Sequence, residues 1–247
     1  MTDQIQVLSD DMRQRLAKTP VSAITTILST TGFPRPVMKG VSPIDPGNPR
    51  MVGQAFTIRY IPSRPDLDTI ETFSTPHSLQ RIALERCPEN FVLVVDARGD
   101  TSIACAGDAF VGRLQAKRCA GIVTDGGLRD AKEIRALEFP AFLGAPAPLP
   151  TFVGHHPVDI NVPIGCGGVA VYPGDVVVGD TDGVVVIPFH MVEVVVEGTR
   201  EIIEYDEFVE EQISLGRSLI GLYPATDESR AEYTQWRAKR DSLINES

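Results

Sequence analysis

The sequence predicts an α/β fold of mixed sheets with flanking helices, on three observations. Short β-branched runs at residues 91–95, 121–124 and 141–143 alternate with helix-like runs at 109–118 and 130–137, the order expected of parallel β-α-β units. From 158 to 188 short apolar runs are separated by Gly165 to Gly168, Pro173-Gly174-Asp175 and Asp180 to Gly183, the punctuation of antiparallel hairpins. A long amphipathic run over 190–215 follows.

In chain order, residues 9–18 and 21–31 read as helices separated by Pro20, the second with Val21, Ile24, Ile27 and Leu28 on one face. Residues 32–50 are too rich in Pro and Gly for either regular element and read as a long surface connection. In 51–61, Val52, Gln54, Phe56, Ile58 and Tyr60 alternate with Gly53, Ala55, Thr57 and Arg59, which predicts a strand. The loop 62–76 carries Arg64, Asp66, Asp68 and Glu71 and is followed by His77 and a helix over 78–86. It suits contacts to substrate hydroxyls, or equally a solvated charge cluster. His77 reads as a helix-start or surface residue before it reads as a ligand.

Strands over 91–95 and 102–106 lead to a helix after Gly107-Asp108; a strand at 121–124, a loop at 125–129, a helix at 130–137 and a strand at 141–143 repeat that logic. Residues 144–157 form a Pro-rich connection in which His155-His156 read as solvated, with no metal assigned. The 190–215 helix is expected to bury Met191, Val194, Val195, Ile202 and Phe208, to turn Glu201, Glu204, Glu207, Glu210 and Glu211 toward solvent, and to end at Gly216. One domain over 1–247 is expected, with N-terminal helices at 9–31 and a C-terminal arm at 218–247 whose last helix, from Asp227, is anchored by Tyr233, Trp236 and Leu243.

With 247 residues the chain can bury a full core, and 43% apolar against 23% charged residues is the composition of a soluble globular protein. A formal charge of −10 opposes binding to nucleic acid or an anionic membrane and leaves an acidic substrate to be drawn in by local cations. The four cysteines, Cys87, Cys105, Cys119 and Cys166, contain no Cys-x-x-Cys pair and read as reduced, buried thiols. The polar, acidic N-terminus lacks the pattern of an export signal and no apolar run approaches a membrane span, so a cytoplasmic protein is expected.

The chemistry concentrates between Gly107 and Asp130. Asp108 is placed to cap a helix and leave the amides of Ala109, Phe110 and Val111 as an anion seat, while Asp125-Gly126-Gly127 turns the chain and delivers Arg129-Asp130 to the mouth of the next helix. A bound carboxylate wants free N–H groups and a guanidinium; a divalent cation wants an exposed carboxylate with room for water. An α-keto acid calls for both. The same residues also read as two ordinary N-caps, a turn and a solvated arginine.

The run Gly-Asp, an Ala- and Gly-containing helix, then Gly121-Ile122-Val123-Thr124-Asp125-Gly126-Gly127-Leu128-Arg129-Asp130 resembles the signature of the class II pyruvate aldolases, whose type case cleaves 4-hydroxy-4-methyl-2-oxoglutarate and 4-carboxy-4-hydroxy-2-oxoadipate. Further likeness lies in Met51-Val52-Gly53-Gln54-Ala55 and in Tyr172 to Asp175 and Asp182 to Pro188, within about 21–216. The resemblance implies the swivelling β/β/α fold shared with the regulator of ribonuclease activity A. It also implies a retro-aldol lyase that releases pyruvate from a 4-hydroxy-2-keto acid, such as a 2-keto-3-deoxy sugar acid, with oxaloacetate decarboxylation as a side activity.

By the same resemblance Asp130 would hold Mg²⁺ or Mn²⁺ largely through water, and Arg129 would stabilise the enolate. Gly107, Asp108, Ala109, Phe110 and Val111 would bind the substrate carboxylate, with Asp108 positioning a water for proton transfer. A homotrimer or homohexamer is implied, with an acidic residue of a neighbouring C-terminal helix helping to order the metal's water shell. Thr26 stands near where family members often carry an acidic residue, so no acid–base role follows for it. The alternative is a non-catalytic regulator of an RNA-processing nuclease; those regulators tend to keep the arginine and lose the following aspartate, which here is present.

Overall fold

The computed structural model describes residues 6–47 and 50–245, apart from the side chains of 241 and 243–245, so the expected Leu243 anchor lies outside the described residues. The chain divides into two compact units, Met1–Val196 and Glu197–Ser247.

The first unit is organised around one long strand, β2 (Met51–Pro62), because its twelve residues are shared among three partners. After β1 (Ser42–Pro43), it pairs in parallel with β3 (Phe91–Asp96), which continues in parallel to β5 (Gly121–Thr124) and β7 (Ala141–Leu143). Its other edge is divided between β12 (Val176–Asp180) on Met51 to Gln54 and β9 (His155–Ile160) on Ile58 to Pro62, both antiparallel. The hairpin partner β13 (Gly183–Ile187) follows β12.

Residues 36–43, expected as a loose connection, instead join the two ends of this sheet. Met38 N–H donates to Val184 O and Val186 N–H to Pro36 O, while Ser42 and Pro43 pair with Leu143 and Phe142. The sheet is thereby nearly closed, and strand parity sorts its side chains into separate cores. Met51, Val92, Val94, Val123, Phe142, Val177, Val184 and Val186 pack together in one cluster. Phe56, Ile58, Leu93 and Val95 pack with α4 (Leu79–Arg86), α5 (Asp108–Ala116) and α6 (Ala131–Ala136) through Leu84, Val111, Leu114 and Ile134. Val176, Val178, Val185 and Ile187 pack with α1 (Asp10–Lys18) and α2 (Val21–Thr30) through Leu16, Ile24 and Leu28.

A small parallel sheet, β4 (Ala104–Ala106), β6 (Gly127–Leu128) and β8 (Ala145–Pro146), lies off this path. Residues 125–129 were expected as loop throughout; two-residue strands carry no periodicity to reveal them. The segment 144–157 likewise contains β8, a 3-10 turn at Thr151–Val153 and the start of β9. A short hairpin of β10 (Ile164–Cys166) and β11 (Val169–Val171), and the brief helix α3 (Ile70–Phe73), complete the elements that shape the site.

The second unit begins within α7 (Val192–Ser214) and pairs it with α8 (Asp227–Asn245). Tyr205, Phe208, Val209, Leu222 and Tyr233 are buried together there, and Trp236 packs against them. Val194, expected in the core, is 45% exposed, whereas Val192 and Val196 are buried. The acidic stripe is not simply solvated. Glu204 binds Arg200, Arg237 and the Tyr233 hydroxyl, Glu201 binds Arg230, Glu207 binds Arg240, and Glu211 accepts from the Trp236 indole at 2.8 Å.

Candidate active site

Two strand ends bring the site together. β4 and β6 are parallel neighbours, with Ala106 opposite Leu128 and the Arg129 N–H donating to Ala106 O at 3.1 Å. Each strand then runs directly into a helix, so Gly107-Asp108 and Arg129-Asp130 emerge side by side although they are 22 positions apart in the sequence. Ligands bind where parallel strands end and helices begin, because free amides and the positive helix end point there.

Gly107 is the N-cap of α5 and Asp108 its first helical residue, a correction of one position. The Asp108 carboxylate accepts from the amide of Ala109 at 2.7 Å, and the amides of Phe110 and Val111 both point to the Gly107 carbonyl at 3.1 Å. All three amides of the expected anion seat therefore already have acceptors within the chain, and Val111 is fully buried in the core. Asp130 occupies the N-cap of α6 with left-handed backbone angles, φ 58° and ψ 42°, and makes no capping bond. Its Oδ2 instead meets Arg129 Nε at 3.1 Å.

The reason for a glycine at 107 is close approach. A Cβ there would stand 2.5 Å from Asp130 Oδ2 and 2.9 Å from Arg129 Nε. Arg129 and Asp130 are 47% and 37% exposed, so their pair is worth at most about 1 kcal/mol and exchanges readily for substrate or solvent. Asp130 presents a hard carboxylate oxygen that makes no helix-capping bond, a group whose chemistry fits an ion that keeps most of its waters. Among the described residues, no three His, Cys, Asp or Glu side chains cluster as a ready-made metal cage.

Asp125, the third acid of the motif, is buried and structural. It accepts from the amides of Ala97 at 2.8 Å and Gly167 at 3.2 Å, tying the end of β3 to the β10–β11 turn. Gly126 and Gly127 follow from packing, since a Cβ on either would fall 2.5 Å from the Cβ of Ala97 or Ala147. Cys105 beneath them is pushed up to about 12 by burial, so it stays a thiol.

The strand ends open into a cleft of about 910 Å³ whose lining includes Gly107, Asp108, Ala109, Phe110 and Arg129. The 62–77 segment does reach this cleft, but through Ile70, Phe73, Ser74 and Pro76. Its charges are engaged elsewhere: Arg64 pairs with Asp66, and buried Asp68 accepts from the Arg64 amide and meets His156 Nδ1 at 2.5 Å. His77 is exposed and does not line the cleft. His155, expected in solvent, is fully buried in β9 against Tyr60, with Arg98 donating to its Nδ1 at 3.1 Å. Thr26 bonds back to Ser22 O within α2.

Sequence reasoning missed Gln80 and the aromatic lining. Gln80 is buried and donates to Cys105 O at 2.6 Å and to Thr151 Oγ1 at 3.2 Å, fastening α4 to both sides of the cleft. A polar residue on the inner face of the 78–86 helix was the available signal.

The model of a protein family described as "RraA-like: Aldolase/RraA" matches residues 8–186, which include the whole of this site. The chain belongs to the RraA-like family. Over 126 residues it is 43% identical to a protein of Halalkalibacterium halodurans named "Putative 4-hydroxy-4-methyl-2-oxoglutarate aldolase", covering 50% of this chain and 58% of that relative's length. It is 30% identical over 187 residues to an uncharacterised protein of Methanocaldococcus jannaschii, covering 74% of this chain and 82% of that one.

Among RraA-like structures, Streptomyces coelicolor RraAS2, described as an unusual member of the RNase ES inhibitor RraA protein family, superposes with a TM-score of 0.74. It is 29% identical and covers 83% of this chain and 98% of its own. The RraA-like fold is thus established, with its nearly closed mixed sheet and flanking helices. No helix among the described residues is long and apolar enough to cross a membrane.

Proposed function

We propose that the protein is a divalent-metal-dependent lyase that cleaves a 4-hydroxy-2-keto acid to pyruvate and a carbonyl product. The observation that carries this reading is the juxtaposition of a non-capping Asp130 with Arg129 and the N-terminus of α5, the latter two lining an open cleft. The name of the Halalkalibacterium halodurans relative supports it.

The keto acid's carboxylate sits toward the first turn of α5, where the helix end favours negative charge and substrate oxygens compete with the local Asp108 and Gly107 acceptors for its amides. Asp130 would hold Mg²⁺ or Mn²⁺ mainly through water, and the ion would supply Lewis-acid stabilisation of the keto oxygen. Arg129 places its guanidinium where negative charge develops as the C3–C4 bond breaks, and contributes by electrostatic stabilisation. Asp108, with one oxygen free of the Ala109 amide, orients a water that takes the C4 hydroxyl proton and returns a proton to C3. Oxaloacetate, which loses CO₂ to give the same enolate, is a side substrate on this reading.

The likeness to RraAS2 favours a second reading, a binding regulator of an RNA-processing nuclease. A half-exposed Asp130 paired with Arg129, whose side chain lines an open cleft, supports the enzyme instead. Assaying purified protein for pyruvate release from a panel of 4-hydroxy-2-keto acids, with Mg²⁺ and with EDTA, tests the choice. Metal-dependent release supports the lyase; no release from any of them at any metal concentration removes it.

A further inference from the structure

The cleft is larger than a pyruvyl unit requires, and its remaining wall is aromatic. Pockets of roughly 300–1,000 Å³ hold drug-sized ligands, so about 910 Å³ leaves room for a sizeable group beyond C4. Phe73, at the end of α3, and Phe152, in the 3-10 turn, face each other with ring centroids 6.2 Å apart and planes inclined by 55°. Both are half-buried, Phe110 of α5 is half-buried beside the anion seat, and Ile70 is 58% exposed. These apolar side chains line the same cleft as Arg129.

The two rings come from segments 79 residues apart, yet both are fastened to α4. Arg81 Nε donates to Phe73 O at 2.9 Å, and Gln80 reaches Thr151 Oγ1 next to Phe152. A wall held in this way is preorganised, which lowers the ordering cost of binding an apolar group. The cations of the cleft argue less strongly for a second carboxylate on the ligand. Arg113 is matched by two hydrogen bonds to Glu85, at 3.0 and 2.9 Å, which hold that carboxyl below its ordinary range. Arg81 is turned toward the Phe73 carbonyl, leaving Arg86 at the end of α4 as the guanidinium a distal anion would use.

We propose that the group carried on C4 of the substrate is an aryl ring, received by Phe73 and Phe152, and that these two residues determine specificity. This rests on the lyase reading above. The substrate class is then a 4-aryl-4-hydroxy-2-keto acid. The C4 hydroxyl loses its proton, the C3–C4 bond breaks as C4–O becomes the aldehyde carbonyl, and its electron pair stays on the pyruvyl unit as the enolate. Protonation at C3 yields pyruvate and an aryl aldehyde, with no oxidant or reductant consumed.

The test compares kcat/KM for pyruvate release from 4-hydroxy-4-phenyl-2-oxobutanoate, 4-hydroxy-2-oxopentanoate and 4-hydroxy-4-methyl-2-oxoglutarate in the wild type, Phe73→Ala, Phe152→Ala and Arg86→Ala. The phenyl substrate is expected to lead the methyl one by about ten-fold, and either Phe→Ala change should lower that phenyl-to-methyl ratio several-fold, since an aromatic contact is worth about 0.5–1.5 kcal/mol. Phe152→Leu, which keeps apolar volume, covers the case in which the alanine variant does not fold. A preference for the dicarboxylate that disappears in Arg86→Ala, or a phenyl-to-methyl ratio unmoved by the Phe changes, overturns the inference. Calorimetric titration with 4-phenyl-2-oxobutanoate, which lacks the hydroxyl, separates the two claims. Binding weakened by Phe152→Ala without turnover of any substrate would sink the lyase reading and keep the ring site. Turnover of the methyl substrate without binding of this probe would do the reverse.

Discussion

Gly107 shows how one missing Cβ can serve function without serving the fold. Its backbone angles, φ −122° and ψ −174°, suit any residue, so the constraint is space shared with the tips of Arg129 and Asp130. Both tips can swing away. Gly107→Ala should therefore fold with a stability change below about 1 kcal/mol and lose at least about ten-fold in kcat/KM, read by thermal melting and pyruvate release together. Full activity in a well-folded variant would show that the close approach is incidental. His155 illustrates the opposite case, a titratable group recruited to the core. Burial and then the Arg98 guanidinium lower its pKa. The unfolded chain gains a proton there near pH 6.5 and the native one does not, so stability should fall as pH drops below about 6.5 until the lowered native value is passed. His155→Gln, which keeps an acceptor for Arg98, should flatten the urea midpoint between pH 8 and pH 5; an unchanged slope would assign it to other groups.

At the scale of elements, the helical pair of the second unit depends on one buried hydroxyl. Tyr205 Oη donates to Leu222 O at 2.7 Å and meets Ser229 Oγ at 2.8 Å. Tyr205→Phe leaves both without that partner and should cost about 1–3 kcal/mol, seen as faster amide exchange across 197–245. Equal loss of protection across 6–196 would contradict the division into two units. The sequence made β2, the parallel strands β3, β5 and β7, and the separate helices α7 and α8 legible, though not that the two helices pair. Arg129 and Asp130 are marked as candidates by their motif, and the structure brings them beside Gly107 and Asp108. The sequence could not reveal β6 and β8, two residues each, whose existence depends on pairing with β4. Nor could it reveal Phe73 and Phe152, single apolar residues whose meaning lies in facing each other. His155 was misread for a related reason: flanking prolines suggested a loop, whereas pairing with β2 made a buried strand.

For the whole molecule, the account asks for more order around Asp130 than one carboxylate provides, and a second copy of the chain is the proposed source, in a trimer or a pair of trimers. Among the described residues, Glu201, Glu204, Glu207 and Glu211 have partners on α7 or α8 and exposed Glu210 has the like charge of Asp206 beside it, which makes Glu210 the proposed contributor. Inactive Glu210→Gln mixed with inactive Asp130→Ala under subunit exchange should regain some activity by forming intact composite sites. A mixture that stays inactive despite proven exchange counts against a shared site.

The most direct test of the central claim, that these two strand ends build one metal-assisted pyruvyl site, is a Mg²⁺ titration of pyruvate release in the wild type and in Asp130→Asn, with both proteins shown to fold alike. The wild type should lose activity in EDTA and regain it saturably with Mg²⁺, whereas Asp130→Asn should require at least about ten-fold more metal or remain inactive, because the neutral amide cannot hold the ion's waters as a carboxylate does. An Asp130→Asn titration that overlays the wild-type curve would contradict the account.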